Sequence, residues 1–286
     1  HSDENIRRAI KLLLNREDTK HNKDVLEEQG IDKKDEEFRR EEFNVLRDEV
    51  DYELLKTKVV QSESYKGNII NTYFSRVVLI RKLRETRALV GISRIYPNPD
   101  LSIKEKIEML WKVPPKNLQS QTIDNDDSQD SDLWLPASTV FGEGIFIEFD
   151  EKILQEWEQK KNVRTRVEGF IQNIMLSNPK YDIDFISPRF LMIHTFSHMV
   201  ISRLTHECGY SSASLKERLY IADNQENPMA GVLIYTADGD SDGTLGGLVR
   251  MGKPGKLEEI IRNAIQDAMW CSSDPVCIEL GETGQG

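Results

Sequence analysis

The pattern of apolar and polar positions is clearest between Ser187 and Gly209, where it predicts one long helix. Ser187 is a favourable N-cap, and Pro188 suits the first helical position, where its missing N–H costs nothing. Gly209 suits the left-handed conformation that commonly ends a helix. The apolar residues between these boundaries are Phe190, Leu191, Met192, Ile193, Phe196, Met199, Val200, Ile201 and Leu204. Because they cover most of the helix circumference, the pattern predicts a buried helix rather than a surface one.

Two short segments rich in β-forming residues follow this helix. They are RLYIAD at 218–223 and MAGVLIYTAD at 229–238, with turn-forming residues between them, and each is predicted to be a strand. Before them, Ser214 and Glu217 have the spacing of a capping box, which predicts a short helix. After them, a helix is predicted from about Lys256. Its apolar residues recur at intervals of three and four: Leu257, Ile260, Ile261, Ala264, Ile265, Ala268 and Met269.

The preceding part of the chain also mixes helical and strand patterns. Residues 134–150 (WLPASTVFGEGIFIEFD) predict a strand hairpin with a glycine-containing turn, because apolar residues alternate along their second half. Asp150 is predicted to cap a helix, and a further helix is predicted near Val167–Leu176. An apolar stripe from Phe38 to Leu54 predicts another helix. The predicted fold class is therefore α+β, with mixed helices and short strand pairs around the buried helix at 188–208.

Differences in composition along the chain predict its domain organisation. Residues 1–64 are rich in charge and are predicted to be a charged helical segment and linker. Residues 65–286 are predicted to form the α+β domain. Within it, residues 119–132 contain five aspartates and no basic residue, which predicts a flexible acidic loop that the fold does not need.

Charge and cysteine content limit the classes of function. The chain has 286 residues and a formal net charge of −11, whereas a protein that coats DNA by itself is usually basic. Any DNA contact would therefore use a local patch and be shared with a partner. Three cysteines are few for a disulfide framework and fit a reducing cytoplasm. No run of eighteen apolar residues is present, so no membrane-spanning helix is expected.

The densest cluster of positive charge lies between residues 76 and 94. Its cations are Arg76, Arg81, Lys82, Arg84, Arg87 and Arg94. Such a cluster is typical of a solvated face, but it is also typical of a surface that contacts nucleic-acid phosphates or an acidic partner. These six residues are therefore the candidates for contact with DNA.

His194 and His198 lie four residues apart on the predicted buried helix. Two imidazoles at this spacing can share a metal ion, as in the H-E-x-x-H pattern. The sequence between them lacks the glutamate of that pattern and shows no third ligand, so histidines in the core, bonded to backbone or carboxylate groups, are the favoured interpretation.

The aspartate and glycine loop at 238–243 (DGDSDG) matches the first half of a calcium-binding loop. Its twelfth position is Val249 instead of the glutamate that completes such a site, and no nucleotide-binding motif is present. A tight structural loop is the favoured interpretation. Together with His194 and His198, this loop defines the alternative function, a metal-dependent nuclease or hydrolase that uses the aspartates at 238–242.

Several long segments of the chain resemble a known protein family. HTFSHMVISRLTHECGYSSASLKERLYI, GVLIYTADGDSDGTLGGLVRMG and MWCSSDPVC resemble a C-terminal domain that is attached to certain helicases and has a relative in the mitomycin-repair helicases. RKLRETRALVGISRI and WLPASTVFGEGIFIEFDE more specifically resemble the DrmB proteins of DISARM antiphage systems. The resemblance implies a cytoplasmic, non-catalytic accessory subunit whose partners are a DrmA-like helicase subunit and, through the complex, foreign DNA. The helicase activity would reside in that partner.

The resemblance also implies zinc. On spacing alone, Cys271 and Cys277 form a weak C-x5-C signal, and two solvated free thiols are the favoured interpretation, whereas a reducing compartment disfavours a disulfide. In the family these positions match the first pair of a four-cysteine site, whose second pair would lie beyond Gly286. Such a site would hold zinc structurally, because four thiolates leave no position for a reactive water.

Overall fold

The structure is a computed structural model that describes residues 31–67, 69–89, 91–92, 111–112, 116–117, 133–134, 136–177, 183, 185–209, 214–224, 226–236 and 246–269. The predicted acidic loop at 119–132 lies outside the described residues. The chain divides into two compact units. One contains the residues up to Glu36 and Thr86–Thr139, and the other contains Glu37–Glu85 and the residues from Val140 onwards. The division at 64/65 that the composition suggests stays a prediction.

The described helices and strands are as follows. The helices are α1 (Ile31–Leu46), α2 (Ile69–Tyr73), α3 (Glu151–Glu158), α4 (Lys161–Ser177), α5 (Pro188–Cys208), α6 (Gly247–Met251) and α7 (Leu257–Ala268). The strands are β1 (Leu55–Val60), β2 (Phe74–Ala88), β3 (Gly91–Ile92), β4 (Trp111–Lys112), β5 (Lys116–Asn117), β6 (Leu133–Trp134), β7 (Ala137–Phe149), β8 (Lys216–Ala222) and β9 (Met229–Thr236). The combination confirms the predicted α+β class.

A five-stranded sheet in the order β1-β2-β7-β9-β8 forms the centre of the larger unit. The pairs β1–β2, β7–β9 and β8–β9 are antiparallel. The β1–β2 register shifts between Lys56 and Thr57, so an irregularity interrupts the regular alternation of β2 near this point. The short strands form two separate pairs, β3 with β4 and β5 with β6.

Helix α5 packs on one face of this sheet, but its other side, which includes Thr195 and His198, is exposed, so the predicted burial of the helix is only partly correct. Ser187 Oγ accepts a hydrogen bond from the Phe190 N–H, and Gly209 ends the helix with φ 71°. The core on this face joins apolar residues of β7 and β9 to those of α5 and α7. It includes Ile145, Ile147, Ile193, Val200, Leu204, Val232, Ile234, Leu257, Ile260 and Ile261. The predicted helix from Lys256 is confirmed as α7, with Lys256 at its N-cap position.

Helix α1 packs on the opposite face of the sheet. Phe43 and Leu46 of α1 meet Phe146 of β7 and Tyr220 of β8, together with Val78, Ile80, Met229 and Leu233. Because neighbouring residues of a strand point to opposite faces, Ile145 and Ile147 serve the α5 core whereas Phe146 serves this second core. The end of β7 is therefore buried on both faces.

Four local predictions are wrong or incomplete. The expected hairpin at 134–150 is the single strand β7. Its Gly144 does not turn the chain but allows close strand approach, because an added Cβ would lie 2.8 Å from the Ile234 carbonyl oxygen. The stripe from Phe38 to Leu54 is helical only as far as Leu46, and the helix expected near Val167–Leu176 begins earlier, at Lys161.

The fourth wrong local prediction is the capping box at Ser214 and Glu217. Glu217 lies in β8, where the period-2 pattern and the pairing with β9 place it, and its carboxylate contacts α5 side chains instead of a helix N-terminus. The competing strand pattern at 218–223 therefore decides the local structure.

Arg189, the second residue of α5, is a buried cation between two carboxylates. Its Nη2 lies 2.5 Å from Glu151 Oε1 and its Nε lies 3.0 Å from Glu158 Oε1, both on α3. Its Nη1 donates to the carbonyl of Ala222 at the end of β8. Burial alone would lower the pKa of Arg189, but hydrogen bonds and charge interactions with Glu158 and Glu151 outweigh it and raise this pKa above its ordinary value. The group therefore ties α3, α5 and β8 together as a permanent cation.

Candidate metal centre and cationic cavity

His194, His198 and Glu217 form a cluster of potential metal ligands. The two histidines lie one helical turn apart on α5, and Glu217 extends from the neighbouring strand β8. His194 Nε2 lies 3.0 Å from His198 Nε2 and 3.1 Å from Glu217 Oε1. The distance from His198 Nε2 to the same oxygen is 3.5 Å. Three ligand atoms from two elements therefore converge on one point.

The cluster lies at the protein surface, and neighbouring side chains beneath it contact its ligands. The side chains of His194 and His198 are 39% and 62% exposed. Beneath them, the buried Ser197 hydroxyl contacts Glu217 Oε2 and lies 2.7 Å from the His194 carbonyl oxygen. The ring of Phe190 stacks on His194 with a centroid distance of 5.3 Å and an interplanar angle of 21°. The supporting contacts hold the carboxylate and one imidazole in place while the ligand atoms face outward.

The favoured interpretation of the two histidines is therefore wrong in one respect. They have a carboxylate partner, as expected, but they are not in the core, because the buried side of α5 is narrower than the apolar pattern suggests. The third ligand was missed because Glu217 appeared to belong to a capping box. No local sequence signal reveals it, because its place beside α5 depends on the pairing of β8 with β9.

Other predicted metal ligands cannot be placed. The aspartate loop at 238–242 and both Cys271 and Cys277 lie outside the described residues. The assignment of the two cysteines as zinc ligands therefore stays a prediction, as does the use of the aspartates by an enzyme.

The described members of the predicted basic cluster lie along β2. Arg76 is engaged with Glu148, at 3.8 Å, and with the Arg47 carbonyl. Lys82 lies over the Phe141 ring, 4.6 Å from its centroid. Arg84 is half-buried, Arg87 is exposed and has an interaction partner, and Arg94 lies outside the described residues. The role of these cations in DNA contact stays a prediction.

Arg81, in contrast, belongs to a cationic cavity that the sequence did not reveal. An open cavity of about 650 Å³ in the larger unit is lined by Lys58 of β1, Arg81 of β2 and Lys253 after α6. All three side chains are exposed, and none has a hydrogen-bond or ion-pair partner within the described ranges. The buried Glu143 also lines the cavity, but its carboxylate accepts the Leu248 N–H at 2.8 Å. The cavity therefore carries an excess of unpaired positive charge.

No helix in the described part of the chain has the length and apolar character needed to span a membrane.

Two comparisons with known proteins bear on this arrangement. Residues 196–282 match the family of the MrfA Zn-binding domain, a segment that includes His198, Glu217 and both Cys271 and Cys277. The chain is also 38% identical, over 213 residues, to the DISARM protein DrmB of Bacillus paralicheniformis. This alignment covers 73% of the chain but 34% of DrmB, so the chain matches about a third of the length of that relative. The resemblance predicted from the sequence is confirmed: the chain is similar to the DISARM protein DrmB, and its residues 196–282 match the MrfA Zn-binding domain family.

Proposed function

We propose that this protein is a non-catalytic accessory subunit of a bacterial antiphage defence complex, which binds a DrmA-like helicase and helps to engage foreign DNA. The homology to DrmB of a DISARM system is the observation that carries this proposal. The helicase partner would supply the ATP-driven activity. Two surfaces of the larger unit provide the contacts that such a subunit needs.

The cationic cavity supports DNA contact. Lys58, Arg81 and Lys253 present three exposed charges in one place on a chain whose net charge is −11. Unpaired lysine and arginine side chains can neutralise phosphates and release counterions, which favours binding without sequence preference. A small local patch of this kind is suited to a subunit that shares DNA with a partner, because three contacts alone give weak binding at physiological salt.

We expect the double substitution Lys58→Ala and Lys253→Ala to weaken DNA binding by the complex with the helicase. Losing two phosphate contacts should make the slope of log affinity against log salt shallower by about two. Fluorescence anisotropy with labelled duplex DNA over a series of salt concentrations measures this slope. Lys152→Ala with Lys160→Ala is the matched control. Both lysines are exposed, and their substitution removes the same amount of positive charge at a different place, near α3. An unchanged slope in the cavity variant, or an equal change in the control, would contradict the assignment.

Exposed apolar side chains on α4 support contact with a protein partner. Met175 and Leu176 are neighbouring large apolar residues that remain exposed in the last turn of this helix, whereas the exposed Phe170 points in a different direction. Burial of such groups is a main source of affinity at protein interfaces. We assign this surface, called the α4 surface, to the helicase subunit.

Leu176→Ser is expected to reduce co-purification of the protein with the helicase, whereas Met269→Ser should leave it unchanged. The two residues are 82% and 81% exposed, so both substitutions should leave the stability of the isolated protein similar. Pull-down with a tagged helicase measures the difference. Equal recovery of both variants at the wild-type level would remove the α4 surface from the interface.

A metal-dependent nuclease or hydrolase remains the second candidate, favoured by the convergence of His194, His198 and Glu217. Incubation of the protein with DNA and added zinc or manganese tests it. Cleavage that disappears in Glu217→Gln would establish this candidate. If the metal-loaded protein does not cleave DNA, this candidate is wrong and the accessory role is retained.

A further inference from the structure

We propose that His194, His198 and Glu217 bind one zinc ion whose fourth coordination position is open to solvent. Its three ligand atoms are nitrogen and oxygen atoms of α5 and β8, and the proposal makes no use of the cysteine pair, which lies outside the described residues. The proposal does not depend on DNA binding or on a helicase partner.

The spacing of the three ligand atoms fits tetrahedral zinc. Zinc lies about 2.0–2.1 Å from histidine nitrogen and about 2.0–2.2 Å from carboxylate oxygen, so two ligands of a tetrahedral ion are about 3.3 Å apart. The three observed separations of 3.0, 3.1 and 3.5 Å surround this value. One triangular face of the coordination tetrahedron is therefore already formed by side chains.

The types of ligand atom also indicate which metal ions the site would prefer. Two imidazoles and one carboxylate suit zinc and similar transition metals, whereas magnesium and calcium prefer sites built from oxygen atoms alone. Two histidines and one glutamate, with a water or substrate in the fourth position, form a known arrangement of zinc ligands. The three side chains therefore fit a zinc site with one open coordination position, whereas a four-cysteine site has none.

The surroundings supply the support that a metal ligand needs. The Ser197 hydroxyl contacts Glu217 Oε2, which directs the other oxygen, Oε1, towards the two imidazoles. Its single proton can be donated to this carboxylate or to the His194 carbonyl, but not to both. Ser197 is thus a positioning residue, and such outer contacts commonly change metal affinity by about 10–100-fold.

The fourth position faces solvent because both histidine side chains are substantially exposed. It would hold water in the resting protein, and a small neutral or anionic ligand could replace that water. The ion would also join α5 to β8, the last strand of the sheet, and so stabilise the edge on which Glu217 lies.

Metal binding by the purified protein tests the site. After removal of all metal, the protein is titrated with Co²⁺ as a spectroscopic substitute for zinc, and bound zinc is counted separately by elemental analysis. The variant Cys271→Ser with Cys277→Ser should retain one visible-absorbing Co²⁺ that lacks sulfur charge-transfer bands. The variant His194→Ala with His198→Ala should lose this signal while retaining its helical circular dichroism. Ser197→Ala should weaken binding by about 10–100-fold without abolishing it.

Two results would overturn the proposal. One is the same metal content and cobalt spectrum in His194→Ala with His198→Ala as in the wild type. The other is loss of all bound metal in the cysteine variant, which would assign the metal to the cysteines. Added imidazole tests the open position, since it should change the cobalt spectrum of the cysteine variant. A spectrum that imidazole leaves unchanged would show that the fourth position is closed.

Discussion

Replacing Arg189 with alanine is expected to lower the free energy of unfolding by about 3–5 kcal/mol. The guanidinium is buried between Glu151 and Glu158, and it also donates to the Ala222 carbonyl. Its removal leaves two partly buried carboxylates and a carbonyl without their shared cation. The loss of stability is large because the carboxylates and the carbonyl lose their ion pairs and hydrogen bond with Arg189 but stay shielded from water.

Arg203→Ala is the control for this substitution. Arg203 lies on the same helix and pairs with Glu207 and Asp267, but both carboxylates are exposed, so its loss should cost less than about 1 kcal/mol. Urea unfolding monitored by circular dichroism measures both variants. Similar losses for Arg189→Ala and Arg203→Ala would show that the buried ion pairs do not organise the start of α5.

Phe146→Ala is expected to destabilise the protein by about 3–5 kcal/mol, because it opens a cavity in the core between the sheet and α1. Phe146 is 0% exposed. Its ring makes edge contacts with Phe43 at 5.7 Å and with Tyr220 at 5.8 Å between ring centroids. Gly231 offers no side chain to fill the space that the ring leaves.

Phe141→Ala provides a matched control on the same strand. Phe141 is 40% exposed and its ring lies under Lys82, so we expect a loss of about 1 kcal/mol or less. The midpoints of thermal unfolding should separate the two variants clearly. Equal midpoints would mean that the α1 face of the sheet contributes little to stability.

Elements whose boundaries depend on neighbouring residues could be predicted from the sequence. The ends of α5 depend on Ser187 and Gly209, which act through a local hydrogen bond and a local backbone conformation, and both were predicted correctly. The apolar face of α7 is similarly local, and its position follows from the intervals between its apolar residues.

Features that depend on residues far apart in sequence could not be predicted in this way. Gly144 resembles a turn residue until the Ile234 carbonyl on β9 is seen beside it. Glu217 becomes a potential ligand only because pairing with β9 places it in a strand beside α5. Likewise, Lys58 and Lys253 join Arg81 only through the folding of β1 and α6 around one cavity. The candidate sites are products of tertiary structure, although each residue type was visible in the sequence.

In the proposed function, this protein joins a helicase subunit to DNA. The most direct test measures the affinity of a DrmA-like helicase for labelled duplex DNA, at low salt and without ATP, before and after addition of the protein. The wild-type protein should bind the helicase and increase its DNA affinity, and the variant Lys58→Ala with Lys253→Ala should bind the helicase but give a smaller increase. A wild-type protein that does not associate with the helicase, or that associates and leaves its DNA affinity unchanged, would contradict the account.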